Sequence, residues 1–278
     1  AYLSYVKGNF DLRVGRQIVV WGVADALRIT DCVSPFDYTE FLAQDYDDIR
    51  MPVNGLRAKY TTGPVTLEAV CNPVVDFFVL PTDERNPWAI RLPSAPQPYT
   101  TDLESGKPEK KIKNMEFGGR ASVNLSGIDF SVSALRTWNK QPALCPALSG
   151  DGRTLHINGQ YRRMTMLGAD CSLPVGQFVF RAEVAEYIGE AQGSGLGQNA
   201  VRRNTLNALA GVDWYPGNDW NISVQYCHKY TSGNLAALSV YRNAGLATAR
   251  LSKGLLHNTL KLSTFAYIDV ASGGIFNR

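Results

Sequence analysis

Polar and apolar residues alternate along most of this chain, and a period of two confines it to β-structure. Taking every second residue from Phe10 puts Phe10, Leu12, Val14, Arg16, Ile18 and Val20 on one face. Asp11, Arg13, Gly15, Gln17, Val19 and Trp21 fall on the other. The next pair of segments repeats the split. Leu56, Ala58 and Tyr60 oppose Arg57 and Lys59; after Thr62-Gly63-Pro64, Val65, Leu67, Ala69 and Cys71 oppose Thr66 and Glu68. Further hairpins turn at Ser126-Gly127, Pro174-Val175-Gly176 and Pro216-Gly217-Asn218-Asp219, and a last strand covers 255–269. The pattern amounts to about 11 strands.

The connections choose among β-architectures. Short turns join the strands at one end, while the links near 22–52, 82–112, 140–153, 191–204 and 231–254 are long and polar. That asymmetry predicts an all-β, antiparallel up-and-down transmembrane barrel with short periplasmic turns and long extracellular loops, residues 1–278 forming one domain. A soluble sandwich also alternates, but it buries its apolar face and uses loops of similar length at both ends. Here the polar face carries Arg13, Arg57, Lys59, Glu68, Glu116, Arg120, Arg181, Glu183 and Lys261, charges that suit a wet lumen. Tyr2, Tyr5, Phe10, Tyr60, Trp214, Tyr215 and Trp220 near short turns, with Trp21, Trp138 and Tyr187 near long loops, read as two interfacial girdles. An odd strand count does not close in the ordinary even way, so the expectation is part of a larger barrel.

Composition agrees with this. Of 278 residues, 45% are hydrophobic and 19% charged, which excludes a disordered chain. The net charge of +3 is too small and too spread to suggest a nucleic-acid partner. No apolar run suits a membrane-spanning helix, and a mean hydropathy of -0.16 is what spanning strands with one apolar face leave behind.

One stretch departs from the scaffold, Gly15 to Pro52. Between Asp25 and Arg50 it holds Asp25, Asp31, Asp37, Glu40, Asp45, Asp47 and Asp48 against Arg28 and Arg50. Residues 22–52 are too long for a turn and acidic. Folded into a low-dielectric lumen, such a loop selects charged solutes as charged rings do in channels. The basic wall residues Arg13, Arg57, Lys59 and Arg120 are its expected partners. A filter and a loop pinned to the wall by structural ion pairs both remain open.

The same stretch carries a resemblance. GRQIVVWG, then Asp25, Arg28-Ile29-Thr30-Asp31, Ser34-Pro35-Phe36-Asp37 and Asp48-Ile49-Arg50-Met51-Pro52, resembles the G-R-Q-x-V-x-W-G … P-x-D signature of a family of Gram-negative outer-membrane barrels. Some members accompany exporters of the resistance-nodulation-division type, and the family is similar to alginate-export porins. The resemblance implies a bacterial outer-membrane location and a transport role. It brings no catalytic residues.

Other chemistries find little support. Cys32, Cys71, Cys145, Cys171 and Cys227 form no C-x-x-C pair, so no zinc or redox motif is present, and a Cys32–Cys71 disulfide stays open. His156, His228 and His257 lie on different segments, and no serine, histidine and acid assemble into a hydrolase site. We therefore expect no enzyme, cofactor or metal. The glycine cluster Gly193–Gly197 and the cationic run Lys107–Lys113 read as surface loop and solvated face. The partners expected are outer-membrane lipid and lipopolysaccharide, with envelope proteins as candidates. Two functions follow: a channel passing small or amphiphilic solutes, and an interaction barrel with a plugged lumen.

Overall fold

The alternating segments become strands that pair in simple sequence order. The computed structural model describes residues 1–278 apart from 26, 41–42, 45–47, 84, 90–97, 239, 271–273 and 278. Its main sheet runs β1 (Tyr2–Lys7), β2 (Phe10–Gln17), β3 (Val53–Thr62), β4 (Val65–Asn72), β6 (Glu116–Leu125), β7 (Ile128–Trp138) and β10 (Arg163–Val175). It continues through β11 (Phe178–Gln192), β12 (Val201–Gly217), β13 (Trp220–Thr231), β14 (Asn243–Leu255), β15 (Leu260–Asp269) and β16 (Ile275–Asn277). Every ladder of this sheet is antiparallel between neighbours. Among the described residues no ladder joins β1 to β16. A second sheet, β5 (Tyr99–Asp102), β9 (Leu155–Gln160) and β8 (Ala143–Leu148), forms within the long loops.

Among the described residues the main sheet has 13 strands in place of the expected eleven. The link expected over 231–254 contains β14, whose outward residues Ala247 and Ala249 are small and give little hydropathic contrast with Thr248. Its turn at Leu256-His257-Asn258 has positive φ throughout (51, 55 and 62°) without a glycine to announce it. The strand expected from Leu155 divides as well: 155–160 joins the small sheet, and β10 starts at Arg163.

Burial is inverted relative to a soluble protein. On β12 and β13 the apolar Leu206 and Val224 are 46% and 49% exposed, whereas Asp213 and Gln225, on the other face, are 3% and 1% exposed. Phe130, Val132, Phe180, Val184 and Leu67 continue the exposed apolar surface, and Ser131, Glu183, Asn207 and Ser252 the buried polar one. An apolar outer face of this extent matches a hydrocarbon solvent. Val224→Arg should therefore cost about 2–4 kcal/mol of folding free energy in a bilayer, against about 0–1 for Leu260→Arg beside the turn. Equal costs measured by denaturant titration in vesicles would refute the lipid-facing assignment.

Aromatics follow the outer face at only one end as expected. Tyr5, Tyr60, Trp214, Tyr215 and Trp220 are exposed near the short turns, whereas Tyr2, opposite Gly15 and beneath the Arg13 guanidinium, stands on the inner face at the far end of β1. Trp21 and Tyr187 instead lie buried on the inner side, and Trp138 packs with Val75, Phe77 and Tyr161. At the long-loop end Phe117, Tyr226 and Tyr230 are exposed rings.

Curvature follows from one contact. Asp25 lies eight residues past the end of β2 and meets Arg250 on β14 at 3.0 Å. Nine strand steps separate β2 from β14, roughly 43 Å on a flat sheet at about 4.8 Å each. Eight extended residues reach about 28 Å, and the two side chains add about 10 Å. The sheet therefore curls around the segment that follows β2.

Candidate functional site: a segment folded across the inner face

The connection between β2 and β3 covers 18–52, slightly more than the 22–52 read from the sequence. Its first half docks on inner-facing side chains of several strands. Trp21 Nε1 donates to Glu68 Oε1 of β4 at 3.0 Å. The Glu183 carboxylate of β11 accepts from the backbone N–H groups of Val23, Ala24 (2.5 Å) and Thr30 (3.1 Å), and from the Thr30 hydroxyl at 3.1 Å. Arg181 donates to the Val23 carbonyl at 2.7 Å, and Asp25 N–H to Gln225 Oε1 at 3.2 Å. Tyr187 donates to the Ile29 carbonyl at 2.6 Å.

The Trp21-Gly22 step makes this docking sterically workable. Gly22 has φ of 90°, and a Cβ there would run into Thr30 Oγ1 and the Glu183 carboxylate. Gly168 of β10 leaves similar room, because its Cβ would stand 2.7 Å from Thr30 Cγ2. Around them Val19, Trp21, Leu27, Ile29 and Val33 pack on Val70, Leu135, Met164, Met166, Ala185, Tyr187 and Leu209 of the inner wall. The expected wet lumen thus has a dry apolar patch where the segment rests.

The acidic residues are held in different ways. Asp25 pairs with Arg250. Asp31 accepts from Arg50 Nε at 3.0 Å and from Trp21 N–H at 3.4 Å, buried on both sides of the pair. Asp37 accepts from Thr39 N–H and Oγ1 at 2.9 and 2.7 Å and bridges to Val79. Glu40 is exposed and accepts from Gln44, and Asp48 is exposed. The Arg28 guanidinium lies over Phe78 and Phe36, 4.7 and 5.2 Å from the ring centroids. Asp45 and Asp47 fall outside the described residues.

The expected wall partners are otherwise engaged. Arg13 pairs with Asp11 of its own strand at 3.0 Å. Arg57 and Lys59 both meet Glu68, at 2.9 and 3.3 Å, and Arg120 meets Asp170 at 3.0 Å and Ser131 at 2.9 Å. Cross-strand neighbours on one face lie within side-chain reach without any loop closure, so wall charges satisfy each other first. Among the described residues the segment's inner-wall partners are Glu68, Arg181, Glu183, Tyr187, Gln225 and Arg250. Inner-face parity points to Glu68, Arg181 and Glu183, while Arg250 is hidden in a stretch whose sequence reads as a link. All five cysteines are free thiols, and Cys32 sits buried beside the Tyr187 hydroxyl at 3.6 Å.

Asp31 carries a pH consequence. Burial pushes its carboxyl above the ordinary value, and this outweighs the pull of Arg28, Arg50 and the Trp21 N–H, even though the ion pair alone would lower it. A raised value means that the docked form takes up the proton more readily than the unfolded chain. This contribution to stability is present at low pH and is lost as pH climbs through the raised value. The wild-type protein should gain melting temperature relative to Asp31→Asn as pH falls towards the ordinary carboxylate range; a shrinking difference would contradict the assignment.

A family model described as protein of unknown function (DUF1302) matches residues 3–240. The chain belongs to the DUF1302 family. No curated protein matches this DUF1302 chain. Among solved structures it is similar to the outer membrane channel DcaP of Acinetobacter baumannii, with TM-score 0.53 and 8% identity over 99% of this chain and 70% of that one. It is similar also to the anion-selective porin of Comamonas acidovorans, with TM-score 0.52 and 10% identity over 99% and 70%. A porin refined at 1.8 Å resolution gives 0.50 and 9% over 96% and 75%. These likenesses establish that the DUF1302 chain has the fold of outer-membrane porins.

Proposed function

We propose that the protein is a porin-type channel of the bacterial outer membrane, passing small or amphiphilic solutes, with segment 18–52 as its constriction. The observation that supports this most is the position of Val23, Ala24, Asp25 and Thr30 across the inner face, held by Glu183 and by the Asp25–Arg250 pair. Backbone stretched across a barrel narrows it, and the acidic excess of the segment favours cations. The resemblance to exporter-associated barrels makes the outer-membrane stage of an export system a fitting setting, with envelope proteins as partners.

A second reading has one observation behind it. The apolar core beneath the segment is what a permanent plug would need, and a plugged barrel would serve as an interaction scaffold. Single-channel recording of the purified protein in a planar bilayer separates the two. Steady, cation-preferring conductance is expected of the channel, and a silent bilayer would favour the plug.

A further inference from the structure

Three arginines stand on the outer, apolar face. On β7 the outward series Phe130, Val132 and Ala134 ends in Arg136; on β10 Leu167 and Thr165 are followed by Arg163; on β12 Leu206 and Asn204 are followed by Arg202. Each lies at the long-loop end of its strand. Arg163 faces Trp138 and Arg136 faces Thr165 across one ladder, which makes the two arginines diagonal neighbours, about 7–8 Å apart at the backbone.

Arg136 leans over β10 and Arg202 over β11, while Arg163 reaches back across β7. Arg136 donates to Thr165 Oγ1 at 2.7 Å, which lays it over β10. Arg163 donates to the Lys113 and Met115 carbonyls, both at 2.7 Å. Arg202 crosses β11 at Gly189, where a Cβ would stand 3.9 Å from both Arg202 Cδ and the Arg163 carbonyl oxygen. Gly189 has φ of 77° and sits in the bulge between Tyr187 and Glu190, a backbone conformation that favours glycine. The charges of Arg163 and Arg202 both reach Arg136.

Like charges gathered this way need a counter-charge. On the inner face Arg57, Arg120, Arg181 and Arg250 each have a carboxylate at 3.0 Å or less. Among the described residues none of the three outer arginines has one within ion-pair distance. Glu186 shares the outer face, level with Leu167 and Leu206, and pairs with none of them. Leu167 and Leu206 below the cluster and Ile188, level with Arg136, are exposed. The cationic run ending at Lys113, read from the sequence as a solvated face, is tied to the cluster through Arg163.

A ligand complementary to this patch has an anionic head and apolar chains. We propose that Arg136, Arg163 and Arg202 bind the phosphate groups of an outer-leaflet phosphorylated glycolipid of the lipopolysaccharide class, its acyl chains lying along Leu167, Ile188 and Leu206. Guanidinium groups suit this role because they form bidentate, charge-assisted bonds to phosphate. The proposal rests on the outer-membrane reading and adds a defined lipid site to it.

The test uses the full chain in neutral detergent, titrated with diphosphoryl lipid A and, separately, with inorganic phosphate. Lipid A should bind, and the double variant Arg136→Gln/Arg202→Gln should lose about a hundredfold in affinity, roughly tenfold for each charge-assisted contact removed. Arg136→Lys/Arg202→Lys should retain most of the binding. Insertion of each protein into phosphatidylcholine vesicles verifies its fold; if the glutamine variant fails there, Glu186→Gln serves as second variant and should bind lipid A no more weakly than wild type. Unchanged affinity in the glutamine variant, or weaker binding by Glu186→Gln, overturns the site. Equal affinity for inorganic phosphate alone overturns the lipid assignment. A wild-type chain that enters no vesicle overturns the membrane reading, and this proposal with it.

Discussion

Glu183→Ala should raise single-channel conductance severalfold and weaken cation preference, approaching a protein that lacks residues 25–48. The Glu183 carboxylate is the main tie between the segment and the wall. It accepts from three backbone N–H groups and the Thr30 hydroxyl, and among the described residues no second acceptor is bonded to those N–H groups. Each buried donor left without a partner costs about 1–3 kcal/mol, so three together exceed what the local docking of a short segment can absorb. The segment relieves that cost by moving out to water, and the lumen widens. Glu183→Gln keeps one acceptor oxygen and should fall between. Trp21→Phe removes the donor to Glu68 and part of a buried ring, but Arg57 and Lys59 still satisfy that carboxylate, so it should have a milder effect. Conductance unchanged by both Glu183→Ala and the deletion would mean that segment 18–52 is not the constriction.

The strands are readable from the sequence because their physics is local. Alternation, glycine-rich turns and unequal loop lengths are all short-range signals, and parity alone puts Glu68, Arg181 and Glu183 on the inner face. What escapes is either weakly patterned, as in β14, or decided by pairing across the sheet. No spacing along the chain indicates that Arg57 will prefer Glu68 eleven residues on, or that Val23 will reach Glu183, 160 positions later. The same limit explains Trp21 and Tyr187. Near long loops they look like interfacial rings, but the burial that claims them comes from the returning segment. The sign of the loop's charge is legible; its partners are products of curvature.

The largest loss of stability is expected at a pair that parity marks only by half. Lys140 and Glu116 are 2% and 1% exposed at the side chain and meet at 2.6 Å. Glu116 on β6 also accepts from Thr137 Oγ1 at 2.5 Å and from Asn72 Nδ2 at 3.5 Å, so one carboxylate ties β4, β6 and β7 together. Lys140→Met leaves that carboxylate buried without its counter-charge, which costs about 3–5 kcal/mol. The double variant Lys140→Met/Glu116→Gln removes both charges and should recover most of the loss, because an apolar replacement of a whole buried pair is often neutral. Denaturant midpoints of the two single variants and the double variant measure this directly; additive losses would show that the two charges do not act as a unit. The pair also reaches segment 18–52. The Lys140 carbonyl accepts from Phe78 N–H, Phe78 stacks on Phe36, and Val79 bridges to Asp37. A loosened Lys140 therefore frees the back of segment 18–52, and the Lys140→Met channel should be noisier than the double variant at equal mean conductance.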